Sequence, residues 1–428
     1  MHTNKTKKTI GAASCHALAA MICGAALLAG AQGARGADTT PQPRGDKRGI
    51  SYNSLTPEQA RQLAKGVSWM YNWHYDTTEA LKSKTSGIAY YPMVWGNGKE
   101  SIEGFKRIAE SDFQPEFVLA INEPNLKEQA FITPKETADA YARIRKIAAQ
   151  KNIRVIGPHM ALGSAPNSSI TAFDPIEKKD VTYTYMVPFL DAFMRFAKEA
   201  DSDVEAVAVH SYGDIHELKW MIGMLHEKYG KPIWVTEFNW WNSKDADRAL
   251  DYMIEAVDFF ERSPYVAKYA WFKADMRDEK NSLIGADGNL TRLGEFYANM
   301  PAARPNHNFA LPGKIAAAAC HELRDAKVVK RLDAAPFVDA QTTKAGGGAD
   351  FKVEIKDTAT RTFTIAYSGA ATVSVFADGV KVLEMPLNSN GSKQYAEHST
   401  PLKLEAGARA LRVTASSEAF RISEISWQ

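Results

Sequence analysis

Between Arg48 and Trp271, short apolar runs of strand character alternate with longer stretches whose apolar residues recur at helical spacing. The runs are Gly49–Tyr52, Gly66–Trp73, Ala89–Trp95, Phe117–Asn122, Val155–Met160, Ala206–Tyr212, Ile233–Trp240 and Tyr269–Phe272. Among the intervening stretches, 133–149 opens with Thr-Pro-Lys-Glu, an N-cap followed by Pro at the first helical position and a capping-box Glu. In 245–262, Tyr252, Ala256 and Phe259 recur on one helical face. Eight strand–helix repeats in about 250 residues predict an α/β fold with parallel strands, a (β/α)8 TIM barrel.

The pattern changes near Pro301–Pro312. Beyond it come short alternating runs: Phe351–Ile355, Thr362–Tyr367, Val373–Ala377, Val380–Leu383, Leu402–Leu404, Leu411–Thr414 and Phe420–Ile425. Asp378-Gly379 between two of them is a hairpin-turn pair. These runs predict a small all-β sandwich, jelly-roll-like, over 313–428, joined through a connector at 305–312 to a barrel over 46–304.

The N-terminus reads differently. Lys5, Lys7 and Lys8 precede an apolar stretch, Ala17–Ala29, too short to span a bilayer, and small residues follow it. Residues 1–37 therefore read as a signal peptide, and the protein is expected to be secreted or periplasmic. The whole chain has 428 residues, 45 % hydrophobic and 24 % charged, ordinary for a globular protein. Loss of the leader removes Lys5, Lys7, Lys8 and Arg35 but no acid, taking the formal charge from +2 to −2. Neither nucleic acid nor a membrane surface is then an expected partner. Cys15 and Cys23 leave with the leader, so Cys320 stays alone, without an internal disulfide and in a buried structural role.

The chemistry sits at the ends of the predicted strands. Glu123, in Ala-Ile-Asn-Glu-Pro-Asn, ends the fourth, and Glu237, in Trp-Val-Thr-Glu-Phe-Asn, ends the seventh. Functional groups of such barrels lie at the C-terminal strand ends. Two carboxylates there can cleave a glycosidic bond, one protonating the leaving oxygen and the other meeting the positive charge that develops. Glu123 reads as the acid and Glu237 as its ionised partner, with Tyr212 and His210 as donors that would stabilise the charge. Asn122 offers an amide to a sugar hydroxyl. His159 and His210 are each as apt to be a satisfied wall residue as a catalytic assistant, and both, with Tyr212, are candidates to contact the sugar. Sugars present flat C–H faces to aromatic rings, so Trp73, Trp95, Trp240 and Trp271 are candidate subsites, whereas Trp69 and Trp234 are expected in the core. No His/Cys/Asp grouping has metal-ligand spacing, so neither a metal nor another cofactor is expected.

Several stretches together, Lys47–Asn53, Gly66–Trp73, Pro92–Gly96, Ala120–Asn125, His210–Tyr212, Ile233–Trp240 and Trp271-Phe272, resemble glycoside hydrolase family 128. The resemblance implies retaining hydrolysis of β-1,3-glucan without a cofactor, with Glu123 as acid/base and Glu237 as nucleophile. An endo-acting, monomeric enzyme is expected. Two other readings stay open: a retaining glycosidase acting on another β-glycan, and a secreted glucan-binding protein without catalysis. Downstream, Leu311–Ile315 and Gly407–Val413 are similar to carbohydrate-binding modules of families 6 and 35. Ala316–Ala319 stands where those modules carry an acidic pair, and Tyr395 where they carry a Trp.

Overall fold

In the computed structural model, residues 45–163, 166–303, 307–333, 335–391 and 393–428 are described, together with the strand Arg35–Gly36. The expected leader otherwise lies outside the described residues. Arg35–Gly36 pairs antiparallel with Ile315 and Ala316.

Eight parallel strand segments follow one another through the N-terminal region. They are Arg48–Ser51, Trp69–Tyr71, Ala89–Tyr90 continued by Met93–Val94, Phe117–Ala120, Arg154–Ile156 continued by His159–Met160, Val207–Ser211, Ile233–Phe238 and Val266–Trp271. Each segment hydrogen-bonds to the next, and the eighth pairs with the first. The third and fifth segments are each interrupted for two residues, so each contributes to two sheets. A helix follows every strand, from Pro57–Leu63 after the first to Arg292–Asn299 after the eighth. The helix Pro134–Ala149 starts as the sequence predicts, with the reciprocal Thr133–Glu136 capping box and Pro at its first position.

Strand periodicity sorts the apolar residues into two clusters. Trp69, Tyr71, Tyr91, Phe117, Leu119, Ala208 and Trp234 form a cluster that contains no helical residue and fills the inside of the ring. Their strand neighbours Met70, Val118, Ala120, Val209 and Val235 belong to the larger cluster shared with the helices. Because the strands are parallel, their C-terminal ends, and the polar residues on them, share one end of the ring.

The C-terminal region carries two further sheets. One contains Gly313–Ala316, Ala326–Lys330, Val338–Thr342, Ala359–Ser368, Ala396–Leu404 and Arg421–Trp427. The other contains Phe309–Leu311, Glu322–Arg324, Gly348–Ile355, Ala370–Ala377, Val380–Asn388 and Gly407–Ala415. Phe351, Val353, Phe363, Ile365, Val375, Val413 and Trp427 are among the residues of their common core. Asp378 and Gly379 both take positive φ between paired strands, as a primed hairpin turn requires. The connector expected at 305–312 is shorter than that, because Phe309–Leu311 already pairs in parallel with Val353–Ile355.

The two regions lie in one unit, residues 32–428. Ala318, Val328 and Val338 of the β region join the apolar cluster of the strand–helix region. Arg262, at the end of the helix Ala246–Arg262, donates to the carbonyls of Ala318 at 2.8 Å and Cys320 at 2.7 Å. Cys320 is buried, and burial pushes its thiol up to about 11, so it is a packing residue rather than a nucleophile. Among the described residues, no helix is long and apolar enough to cross a membrane.

Candidate active site

At the end of the fourth strand the chain is gripped from both sides. Ile121 and Asn122 donate to the carbonyls of Val94 (2.7 Å) and Trp95 (2.8 Å), and Glu123 donates to that of His159 (2.7 Å). Between these bonds Ile121 and Glu123 adopt φ of 67° and 44°. A β-branched residue in the left-handed region costs on the order of 1–3 kcal/mol and persists only where surrounding bonds over-determine it. Glu123, on this bent backbone, faces His210 and Glu237. Asn125 fixes the following loop through its side chain, bonding both the carbonyl and the amide of Ala161 at 2.8 and 3.2 Å.

Glu237 reaches the same place from the seventh strand. Its Oε1 accepts from the Trp73 indole at 2.7 Å and the Tyr71 hydroxyl at 3.0 Å, and its Oε2 accepts from the Tyr212 hydroxyl. His210 stands between the two carboxylates, its Nδ1 2.7 Å from Glu123 Oε1 and 3.4 Å from Glu237 Oε2. One ligand-type atom each of Glu123, His210 and Glu237 lie within 4.8 Å of one another, and all three residues are buried.

Burial and pairing set the protonation states. Burial raises the Glu237 carboxyl above the usual carboxylate range, while His210 and the Tyr212 and Trp73 donors pull the other way. For His210, burial lowers the imidazole, but the facing Glu237 and Glu123 outweigh it, and the net shift is upward. The hydroxyls of Tyr71 and Tyr212 are held neutral, first by burial and then by Glu237, so both stay donors. The site is thus a buried carboxylate pair bridged by one imidazole, with neutral donors fixing one member.

The profile of the family described as glycosyl hydrolase catalytic core matches residues 49–297, the stretch that carries the ring and both glutamates. The chain belongs to that family. Among solved structures it is similar to a GH128 subgroup II endo-β-1,3-glucanase from Pseudomonas viridiflava. That match has 31 % identity and a TM-score of 0.51, and covers 60 % of this chain and 99 % of the other. A GH128 subgroup II endo-β-1,3-glucanase from Sorangium cellulosum matches at 26 % identity and a TM-score of 0.50, covering 59 % and 97 %. A curated relative, alkali-sensitive linkage protein 1 of Schizosaccharomyces pombe, is 26 % identical over 246 residues, or 54 % of this chain. The chain spans 40 % of that relative's length.

Within this glycosyl hydrolase core, Glu123, Glu237, His210, Tyr212 and Trp73 meet in direct hydrogen bonds. Trp73 enters the site through its ring N–H, on Glu237. Asn122 lies beside Glu123 with Nδ2 on Gln129 (3.1 Å) and its buried Oδ1 without a protein partner. Trp95 is 36 % exposed at its strand end, and Trp240 is half-buried against Tyr252. Trp69 and Trp234 are core residues, as expected.

Two candidates are corrected. His159 is fully buried, with Nδ1 on Thr236 Oγ1 (2.8 Å) and Nε2 on the Ile156 carbonyl (3.1 Å). Both ring nitrogens are used inside the protein, and none is left for a sugar. Trp271 is also fully buried, donates to the Asn281 carbonyl (2.9 Å) and packs on Phe238 and Tyr297. Its neighbour Phe272 faces the site instead, its ring 5.5 Å from Trp73 and 5.3 Å from Tyr212. Trp241, one of the tryptophans the sequence places beside the strand ends, is 48 % exposed and 5.0 Å from the Tyr212 ring; sequence reasoning gave no site role to Phe272 and none on Glu237 to Tyr71. Tyr71 ends its strand and Trp73 follows with a left-handed φ of 59°, so their meeting at Glu237 depends on a turn of the backbone that alternation does not predict.

Proposed function

We propose that this glycosyl hydrolase is a secreted or periplasmic, monomeric endo-β-1,3-glucanase that acts with retention of configuration. We read the closed ring of eight parallel strands as the (β/α)8 barrel, over 46–304, with the β-sandwich following it. The carrying observation is the buried pair Glu123 and Glu237, with one carboxylate oxygen of each within 4.8 Å of the other. Retaining glycosidases hold their carboxyl groups about 5–5.5 Å apart, whereas inverting ones leave about 6.5–9.5 Å for a water. The subgroup II relatives described as endo-β-1,3-glucanases support the substrate and the endo mode.

In this reading Glu237, oriented by Tyr71, Trp73 and Tyr212, attacks the anomeric carbon with an oxygen lone pair. The bond to the leaving oxygen breaks as Glu123 gives that oxygen its proton. Glu123, now ionised, takes a proton from water, which displaces Glu237 and restores both groups. His210 holds Glu123 in place through Nδ1 and stabilises whichever carboxylate is charged at each stage.

Laminarin hydrolysis followed by proton NMR tests this. The newly formed reducing end is expected first as the β-anomer, in a series of oligosaccharides rather than free glucose alone. Glu237→Gln is expected to lose nearly all activity. An α-anomer appearing first would assign inversion, and a Glu237→Gln variant with half the wild-type rate would remove Glu237 as nucleophile.

A further inference from the structure

Glu123, His210 and Glu237 stand at the ends of the fourth, sixth and seventh strands, so no local spacing in the sequence marks them as a set. Closure of the ring brings them together. His210 Nδ1 lies 2.7 Å from Glu123 Oε1 and 3.4 Å from Glu237 Oε2, and one ligand-type atom of each residue lies within 4.8 Å of the other two. Zinc takes an imidazole nitrogen at about 2.0–2.1 Å and a carboxylate oxygen at about 2.0–2.2 Å, which sets tetrahedral ligands about 3.3–3.5 Å apart. The edge from His210 to Glu237 already has that length. The edge from His210 to Glu123 has to open by about 0.6–0.8 Å, a shift within the reach of side-chain torsions.

The protein holds this set in place by itself. Tyr71 (3.0 Å) and Trp73 (2.7 Å) both donate to Glu237 Oε1, which leaves Oε2 turned toward His210. Outer hydrogen bonds of this kind orient metal ligands. The His210 ring is buried, and its Nε2 has no protein partner, so no protein group fixes which ring nitrogen carries the proton and Nδ1 can present a lone pair. Asn122 Oδ1, on the residue before Glu123, is a second buried polar atom without a protein partner. An imidazole together with two carboxylates suits zinc, copper or nickel better than magnesium or calcium, which prefer all-oxygen shells of about six or more ligands.

We propose that Glu123, His210 and Glu237 form an inhibitory site for a divalent cation of the zinc class, which shuts the catalytic centre while it is bound. Ligation takes one lone pair from each residue. From Glu237 it takes the pair that would attack the anomeric carbon, and from Glu123 the oxygen that would carry the proton to the leaving group. The protons displaced from Glu123 and His210 pass to water. The loaded chain can then neither attack nor protonate. The cation blocks the reaction here rather than serving as a cofactor. Three protein ligands leave a fourth position open to water. Loss of rate rests on the two-carboxylate reading of catalysis, whereas binding rests on the geometry alone.

Isothermal titration of zinc chloride into the full chain tests the binding. One ion per chain is expected, with magnesium and calcium chloride giving no saturable heat. Glu123→Gln, His210→Gln and Glu237→Gln, each shown by circular dichroism to keep the wild-type fold, are expected to weaken zinc binding at least about tenfold, since losing a ligand costs no less than losing an outer partner. On laminarin, saturating zinc should lower the initial rate of the wild-type chain at least about tenfold, and excess EDTA should restore it. No zinc binding, or an isotherm unchanged by all three substitutions, would overturn the site. Magnesium bound as tightly as zinc would overturn the cation class. Zinc held by these residues with the laminarin rate unchanged would overturn the inhibition. A chain inactive on laminarin without zinc, yet binding zinc through these residues, would overturn the glucanase reading and leave the metal site standing.

Discussion

Tyr71 contributes one hydroxyl to the site, and its consequence can be worked out from the groups around it. From a fully buried position its hydroxyl proton reaches Glu237 Oε1 at 3.0 Å and the Thr236 carbonyl at 3.1 Å, so replacing it by Phe removes a charge-assisted bond to Glu237 together with that carbonyl's contact. Bonds of that kind contribute about 1.5–3 kcal/mol. Tyr71→Phe should lower kcat by about ten- to a hundredfold. With one donor gone, the charged form of Glu237 is less favoured, and its carboxyl rises further above the ordinary range. The acid limb of the kcat/KM profile should accordingly move to higher pH, and an unmoved limb would show that Tyr71 does not tune the nucleophile. Glu123 and Glu237 were legible in the sequence because each breaks an apolar run with a charge at a strand end. The aromatic assignments were less so. At the eighth strand, Trp271 and Phe272 differ by one residue and therefore by one face, and sequence alone does not set that parity where both neighbours are large and apolar. The structure turns Trp271 toward the helices and Phe272 toward the carboxylates.

At the scale of elements, the eight apolar runs and the Thr133 capping box were visible because period and cap chemistry are local properties. What escaped was non-local. The left-handed backbone at Ile121 and Glu123 depends on bonds from Val94, Trp95 and His159, which no window around residue 121 contains. The short strands Phe309–Leu311, Gly313–Ala316 and Glu322–Arg324 carry too few alternating residues to register. His159 belongs to this scale, because it ties the fifth strand to the seventh through Thr236. Burial, with His210 beside it, lowers its imidazole to about 3, so the folded protein keeps it neutral where the unfolded chain would protonate it. The unfolded state binds the extra proton between about pH 6.5 and 3, so the stabilisation is complete above that window and falls as pH drops through it. At pH 4.5 the loss amounts to about 3 kcal/mol relative to pH 7. Urea unfolding at both pH values checks it: a His159→Gln variant should lose less stability on acidification than wild type by that amount. Equal losses would mean that His159 does not titrate across unfolding.

Taken whole, the molecule hangs its sandwich on the helix that follows the nucleophile strand. This was the least legible level, since Arg262 at the end of an amphipathic helix reads as a solvent-facing residue. In the structure its guanidinium is desolvated, paired with Asp258 at 2.7 Å and bonded to two carbonyls of the sandwich. Removing one partner of a fully buried ion pair costs about 3–5 kcal/mol; Arg262 and Asp258 are 18 % and 22 % exposed, so the cost here is smaller. Val328, Val338 and Ala318 sit in the apolar cluster of the hydrolase core, so the two cores share buried surface and should melt together. Calorimetry of the full chain is expected to give one cooperative transition. In Arg262→Leu the Ala318 and Cys320 carbonyls and the Asp258 carboxylate lose their partner at the heart of the interface. The sandwich should then uncouple, splitting the endotherm in two with the earlier transition well below the wild-type midpoint. Two separated transitions in the wild-type chain would mean that the shared surface does not couple the domains.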